Sequence, residues 1–164
     1  MRLYVFVSML YDRIVVLLAE SGVAFEILHH EVIRTAADAE RAVPGLVDHL
    51  VKTVAFQIKD GAYVLAGVPA RARIDYKQLA DLLGVNRRLL RSLSPEQVEE
   101  ELGFEVGGVG PFPVVDGMQI YFDSTLAGAG RVYCGSGLNT RTVAMQFADL
   151  LAVSGGDLVA ITKD

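Results

Sequence analysis

Four short stretches of the chain carry residue types with chemistry to offer. In His49-Leu50-Val51-Lys52-Thr53-Val54-Ala55-Phe56-Gln57-Ile58 a single lysine interrupts an apolar and β-branched run that ends at the turn residues Lys59-Asp60-Gly61. Such a run reads as a buried strand. Taking an unpaired ammonium out of water costs several kcal/mol, so Lys52 either snorkels to solvent along its own stem or is held to meet an anion. Gly107-Gly108-Val109-Gly110-Pro111-Phe112-Pro113 sets three glycines beside two prolines and cannot be the interior of an element. It is either a plain connection or a loop whose amides a ligand can approach closely. Gly135-Ser136-Gly137 is a second glycine loop. Cys134, with His30 or His49 as base, would make a thiol hydrolase, but it lies in an apolar strand where free cysteine is commonly buried. His29 and His30 are adjacent and point to opposite faces of a strand, and His49 stands alone, which argues against a metal centre.

The elements that must position these stretches follow from capping and periodicity. Ser8 is expected to cap a helix from Met9 to Glu20 that ends at Ser21-Gly22, while Leu3 to Val7 fits a strand or an additional helix. Val23 to Leu28 reads as a strand leading into His29-His30-Glu31. Thr35 with Asp38 opens a helix that Val43-Pro44-Gly45 stops. The Lys52 strand and Tyr63 to Val68 form a hairpin across Lys59-Asp60-Gly61-Ala62. Asp75 opens a helix with Leu79, Leu82 and Leu83 on one face, and Gly84 ends it. Ser94-Pro95-Glu96-Gln97 is a complete start signal, closed by Gly103. Strands at Arg131 to Cys134 and Arg141 to Met145, a helix at Phe147 to Val153 and a last strand at Leu158 to Ile161 complete the chain. Without a regular βαβ rhythm or a repeat, the class is α+β, a mixed sheet with several short helices.

Composition sets the bounds. The chain has 164 residues, 52% hydrophobic and 21% charged, which fits one domain over 1–164 with a sizeable core. A single cysteine rules out an internal disulfide and suits a reducing compartment. Asp12 and Arg13 break the apolar N-terminal run short of the ~20 residues a membrane span needs, and no cleavage pattern follows. A soluble, cytoplasmic protein is therefore expected. The net charge of -5 argues against a general nucleic-acid coat, whose affinity comes from phosphate neutralisation. Yet between Arg71 and Arg91 six cations face two carboxylates, a solvated face or a patch for a polyanion.

Taken in order, Val51-Lys52-Thr53, Gly107 to Phe112, Ile120-Tyr121-Phe122-Asp123, Val132 to Gly137 and Ala148-Asp149-Leu150 resemble the YbaK/ProX family, relatives of the editing domain inserted in bacterial prolyl-tRNA synthetase. The resemblance covers about Arg13 to Ile161, includes His30-Glu31 and Arg73-Ile74-Asp75, and leaves 1–12 as an extension. It implies a curved, barrel-like mixed sheet flanked by short helices, and trans-editing without a cofactor or metal. The reaction implied is hydrolysis of the ester joining a wrong amino acid to the terminal adenosine of a tRNA, usually tRNA(Pro). Prolyl-tRNA synthetase is an implied further partner, and no membrane is involved. On this basis Lys52, Gly108 and Gly110 are the candidate catalytic residues. Thr53, His30, Gly107, Pro111, Phe112, Gly135, Ser136 and Gly137 are the candidate substrate-binding residues, and Arg71, Arg73, Arg87 and Arg88 the candidate tRNA contacts.

The chemistry of these residues suits that reaction. An aminoacyl ester is already activated, so holding water and carbonyl in attack geometry supplies much of the barrier reduction. Backbone amides of glycine loops stabilise an oxyanion without a titratable group. Lys52, a compact cation, would hold the phosphate or ribose of the tRNA end. A glycine-lined pocket suggests a small acyl group: alanine, cysteine, serine or threonine. Two departures leave the choice open, Pro113 where many relatives have glycine and Thr142 where some cysteine-specific members have an acidic residue. The alternative is a module that grips a tRNA end or a nucleotide without turnover.

Overall fold

The computed structural model describes the backbone of residues 2–163 and the side chains of residues 9–163. In chain order the elements are α1 (Arg2–Glu20), β1 (Phe25–His29), α2 (Ala36–Ala42), β2 (Val51–Ile58), β3 (Tyr63–Pro69), β4 (Arg73–Ile74), α3 (Tyr76–Leu83), β5 (Leu90–Ser92), α4 (Pro95–Leu102), β6 (Gln119–Asp123), β7 (Arg131–Gly135), β8 (Arg141–Gln146), α5 (Phe147–Ser154), β9 (Asp157–Val159) and β10 (Thr162–Lys163). Capping chemistry sets the helix starts. Thr35 and Asp38 form a reciprocal capping box on α2, as Ser94 and Gln97 do on α4. Asp75 caps α3. Left-handed Gly84 and Gly103 end α3 and α4, a conformation that glycine adopts without a Cβ penalty.

Two expected boundaries change. The first helix begins at Arg2 and runs through Ser8 rather than starting there, because extending an existing helix adds a hydrogen bond per residue whereas a new start repeats the nucleation cost. The last strand divides. β9 pairs in parallel with β6 and β10 antiparallel with β4. Between them the chain leaves the ladder because the Asp123 carboxylate accepts the Ile161 and Thr162 amides at 2.9 and 3.1 Å.

The hairpin of β2 and β3 is antiparallel, with Lys52 opposite Val68 and Thr53 opposite Gly67. It is the middle of a five-stranded mixed sheet, β5-β2-β3-β6-β9; β1-β8-β7 form a separate three-stranded antiparallel sheet. The expected α+β class holds, but these are open sheets and no closed barrel forms among the described residues. An isolated bridge from Leu50 to Tyr133 joins the head of β2 to β7.

Both faces of the larger sheet are covered. On one, Phe122, Phe112 and Phe104 pack with Val132, Cys134 and Val143 beneath Ile14 and Leu18 of α1. On the other, Phe56, Val64, Val68 and Ile161 pack with Leu79 of α3. Gly67 lets the Phe122 ring lie against β3, since an added Cβ would fall 2.7 Å from it. A third, small cluster of Ala39, Leu46 and Val47 sits below α2. Among the described residues no helix is long and apolar enough to cross a membrane.

Candidate active site

The heads of β2 and β8 and the end of β7 meet the segment around α2 at a cavity of about 290 Å³. Five of the sequence-predicted residues come together on its wall: His30, Lys52, Thr53, Gly107 and Gly135. Lys52 is half-buried, and its ammonium donates to the Ala72 carbonyl at 3.0 Å. The remaining ammonium protons make no described hydrogen bond or ion pair. Thr53 Oγ1 is buried without a hydrogen-bond partner among the described groups.

The two glycine loops lie backbone against backbone. A Cβ on Gly135 would sit 2.0 Å from the Val109 oxygen, and one on Gly110 2.1 Å from the Gly135 oxygen. Gly107, at φ 88°, passes so close to the chain around Ile33 that a Cβ would fall 2.1 Å from that carbonyl oxygen. The seam is sealed by the Gly137 amide donating to Gly108 at 2.8 Å, while the Gly108 amide is taken by the Glu105 carbonyl at 2.7 Å.

The structure places the other sequence-predicted site residues away from the cavity wall. Gly108 and Gly110 lie in the seam. Phe112 is fully buried in the core, and Pro111 beside it is buried too. Ser136 is buried, its hydroxyl donating to the Arg141 carbonyl at 2.5 Å, so it ties its own turn. Gly137 packs against the backbone of Tyr11 in α1. Gly107 and Val109 line the cavity, and their amides donate to no described acceptor.

The basic stretch is put to separate uses. Arg71 pairs with Asp48, and Arg73 lies in β4 opposite Lys163. Arg87 stacks over Tyr76 at 4.8 Å and donates to the Leu90 carbonyl at 3.2 Å. Arg88 is exposed and shares a surface hollow with Lys59 and Arg91. None of these arginines lines the cavity.

Arg34, Asn139 and Arg141 line the cavity and escape the sequence reading, whereas Thr142, which the sequence marks as a departure from cysteine-specific relatives, lines it as well. Arg141 is held at the wall by donating to His29 Nδ1 at 3.3 Å and by stacking on Tyr11 at 5.0 Å. Asn139 stitches three segments. Its amide donates to Glu105 Oε1 at 2.7 Å and its side chain to the Val106 carbonyl at 3.0 Å. Its own carbonyl accepts the Ile33 amide at 2.8 Å. A single sequence holds no signal for such residues beyond their nearness to the glycine loop. Cys134 borders the cavity but is fully buried, and that burial pushes its thiol well above the usual range. With no thiolate it is no nucleophile.

Residues 30–153, which contain every wall residue above, match the family described as the aminoacyl-tRNA editing domain. The chain belongs to that family. Among similar editing-domain relatives, the multifunctional Ser/Thr-tRNA deacylase ProXp-y of Escherichia coli (strain K12) is 24% identical over 156 residues, 93% of this chain and 92% of that one. An uncharacterised Bacillus subtilis (strain 168) protein, YwhH, is 29% identical over 104 residues; the match spans 62% of this chain and only 64% of that one. A crystal structure described as a candidate trans-editing enzyme for prolyl tRNA synthetase superposes with a TM-score of 0.79 at 27% identity, covering 94% of this chain and 97% of that one.

Proposed function

We propose that this editing-domain chain hydrolyses the ester between a small amino acid and the 3′ adenosine of a mischarged tRNA, with tRNA(Pro) as the tRNA and prolyl-tRNA synthetase as the enzyme whose errors it corrects. The observation that carries the reading is the convergence of Lys52, Gly107 and Gly135 on one cavity. Its volume of about 290 Å³ suits a small acyl group on a ribose better than a bulky one.

In this mechanism the Gly107 and Val109 amides, which donate to no described acceptor, receive the developing oxyanion, and a water held against the carbonyl attacks. Gly108 and Gly110 contribute by keeping the wall thin. Lys52 keeps its remaining ammonium protons for the ribose or phosphate of the terminal nucleotide, with Arg141 as a second cation at the wall. Lys59, Arg88 and Arg91, rather than Arg71 or Arg87, are the exposed cations suited to tRNA phosphates further along.

Deacylation of tRNA(Pro) charged with alanine, serine, threonine or cysteine tests the reading; all four staying charged would reject it and leave a binding module. Lys52→Ala is expected to lower kcat/KM by about tenfold or more, the worth of a charge-assisted hydrogen bond; unchanged turnover removes the lysine from the mechanism. Cys134→Ala is expected to leave the deacylation rate within about twofold of wild type, because a buried thiol has no part in the chemistry. A large loss of rate in that variant, with the fold intact by circular dichroism, would restore the thiol route.

A further inference from the structure

The outer face of α1 has the same pattern in both directions. Met9, Asp12, Arg13 and Val16 stand at i, i+3, i+4 and i+7, a spacing that puts all four on one side of a helix. About a point midway between Asp12 and Arg13, apolar mirrors apolar and acid mirrors base. The fold leaves this face uncovered. Met9 is 56% and Val16 51% exposed, and Asp12 and Arg13 are exposed with them. Leu10, Ile14 and Leu18, on the other side, are buried in the core and fasten the helix. Asp12 enters no described ion pair. One Arg13 nitrogen reaches the Val114 carbonyl at 3.4 Å, a long contact that leaves most of the guanidinium donors unused. Only four of the 19 residues of α1 are charged, and a helix so apolar normally finds cover on more than one side.

We infer that the outer face of α1 is an interface with a second copy of this chain, the two helices packing antiparallel about a two-fold axis between Asp12 and Arg13. An isologous contact of this kind must be self-complementary, and this face is. Turning one helix over brings Met9 onto Val16 of the second copy and Asp12 onto Arg13 of the second copy, each contact made twice. The apolar pairs supply the affinity; exposed ion pairs add little to it and instead fix direction and register. A parallel pairing sets Asp12 against Asp12 and Arg13 against Arg13, like charge against like. An anionic lipid surface fits worse, because a helix lying on it carries Lys and Arg along its polar face, whereas here acid balances base. Tyr11, on the same helix, stacks on Arg141 at the cavity wall, so the second copy rests against the helix that holds that wall. The inference does not depend on the deacylase reading.

Sedimentation velocity on the full chain, from about 1 to about 200 μM, is expected to show a monomer–dimer equilibrium with a Kd on the order of 10 μM, as suits an interface of one helix pair. Asp12→Arg or Arg13→Asp alone sets like charges together twice and is expected to raise that Kd about tenfold or more. Combining Asp12→Arg with Arg13→Asp exchanges the signs and is expected to restore the wild-type Kd, a rescue that a merely structural role of either residue does not give. Met9→Cys combined with Val16→Cys is expected to yield a disulfide-linked dimer on mild oxidation. The two positions lie about 10 Å apart along one helix, too far to bridge within a chain, and the native Cys134 is buried. A chain that stays monomeric at the highest concentration overturns the inference. So does a dimer indifferent to the single charge reversals, which places the contact elsewhere, or a combined variant that fails to regain the dimer. Binding of the monomer to prolyl-tRNA synthetase, abolished by Val16→Glu, would assign the face to that protein and overturn it as well.

Discussion

Gly135→Ala is expected to destabilise the protein by at least ~3 kcal/mol, seen as a melting temperature about 10 °C lower, and to remove most turnover with it. The added Cβ would meet three backbone atoms, the oxygen and carbon of Val109 at 2.0 and 2.4 Å and the Gly108 oxygen at 2.7 Å. None of these is the end of a flexible side chain, so relief requires moving the whole loop. That loop is fastened by the Gly108–Glu105 and Gly137–Gly108 hydrogen bonds, and its Gly107 is pressed against the chain at Ile33. Displacing it opens the cavity wall as well as weakening the fold. Gly117→Ala is the control, since its Cβ meets nothing within 4 Å although its φ of 77° still carries a strain of about 1 kcal/mol. Equal melting temperatures for Gly135→Ala and wild type would show that the two loops are not interlocked.

Asp123→Ala is expected to cost about 3–5 kcal/mol, measured as a lower urea midpoint, because it strands several donors at once. The carboxylate, 1% exposed, accepts the Ile161, Thr162 and Thr125 amides at 2.9, 3.1 and 3.1 Å and the Thr125 hydroxyl as well. Burial by itself pushes its pKa up, but the hydrogen bonds from Thr125, Ile161 and Thr162 outweigh that and hold it below the ordinary 3.8. A carboxyl more acidic in the folded chain than in the unfolded one contributes stability above the unfolded value. That contribution disappears as pH falls through the lower, folded value. Wild type is thus expected to lose stability below about pH 4, and Asp123→Asn to show a flatter profile over that range. Matching slopes for the two proteins would mean that Asp123 does not couple the β9–β10 corner to pH.

Much of this protein is local and therefore visible in the order of its residues. Thr35, Asp75 and Ser94 start helices because each side chain satisfies a nearby amide, and Gly84 and Gly103 end them because only glycine enters the left-handed region freely; these are contacts within four residues. The β2–β3 hairpin is less local but still pairs neighbours in the chain, from Gln57 with Tyr63 out to Val51 with Pro69. The order of the short motifs was sufficient for the family, and it brought Lys52, Gly107 and Gly135 onto one list before any geometry placed them on one cavity. What the sequence could not assign was the use of each glycine. Gly108 and Gly110 look like ligand-facing residues, yet they serve a seam between loops more than twenty positions apart. Phe112 and Ser136, beside those glycines, turn inward. Only the β7–β8 register sets Thr142 across from Gly135, and only the tertiary fold brings His30 Nε2 within 2.8 Å of its hydroxyl. Likewise the splitting of the last strand follows from a carboxylate on β6 that captures amides nearly forty residues later. Side-chain type and near neighbours decide caps and turns; which groups share a cavity depends on long-range register, and no run of adjacent residues encodes that.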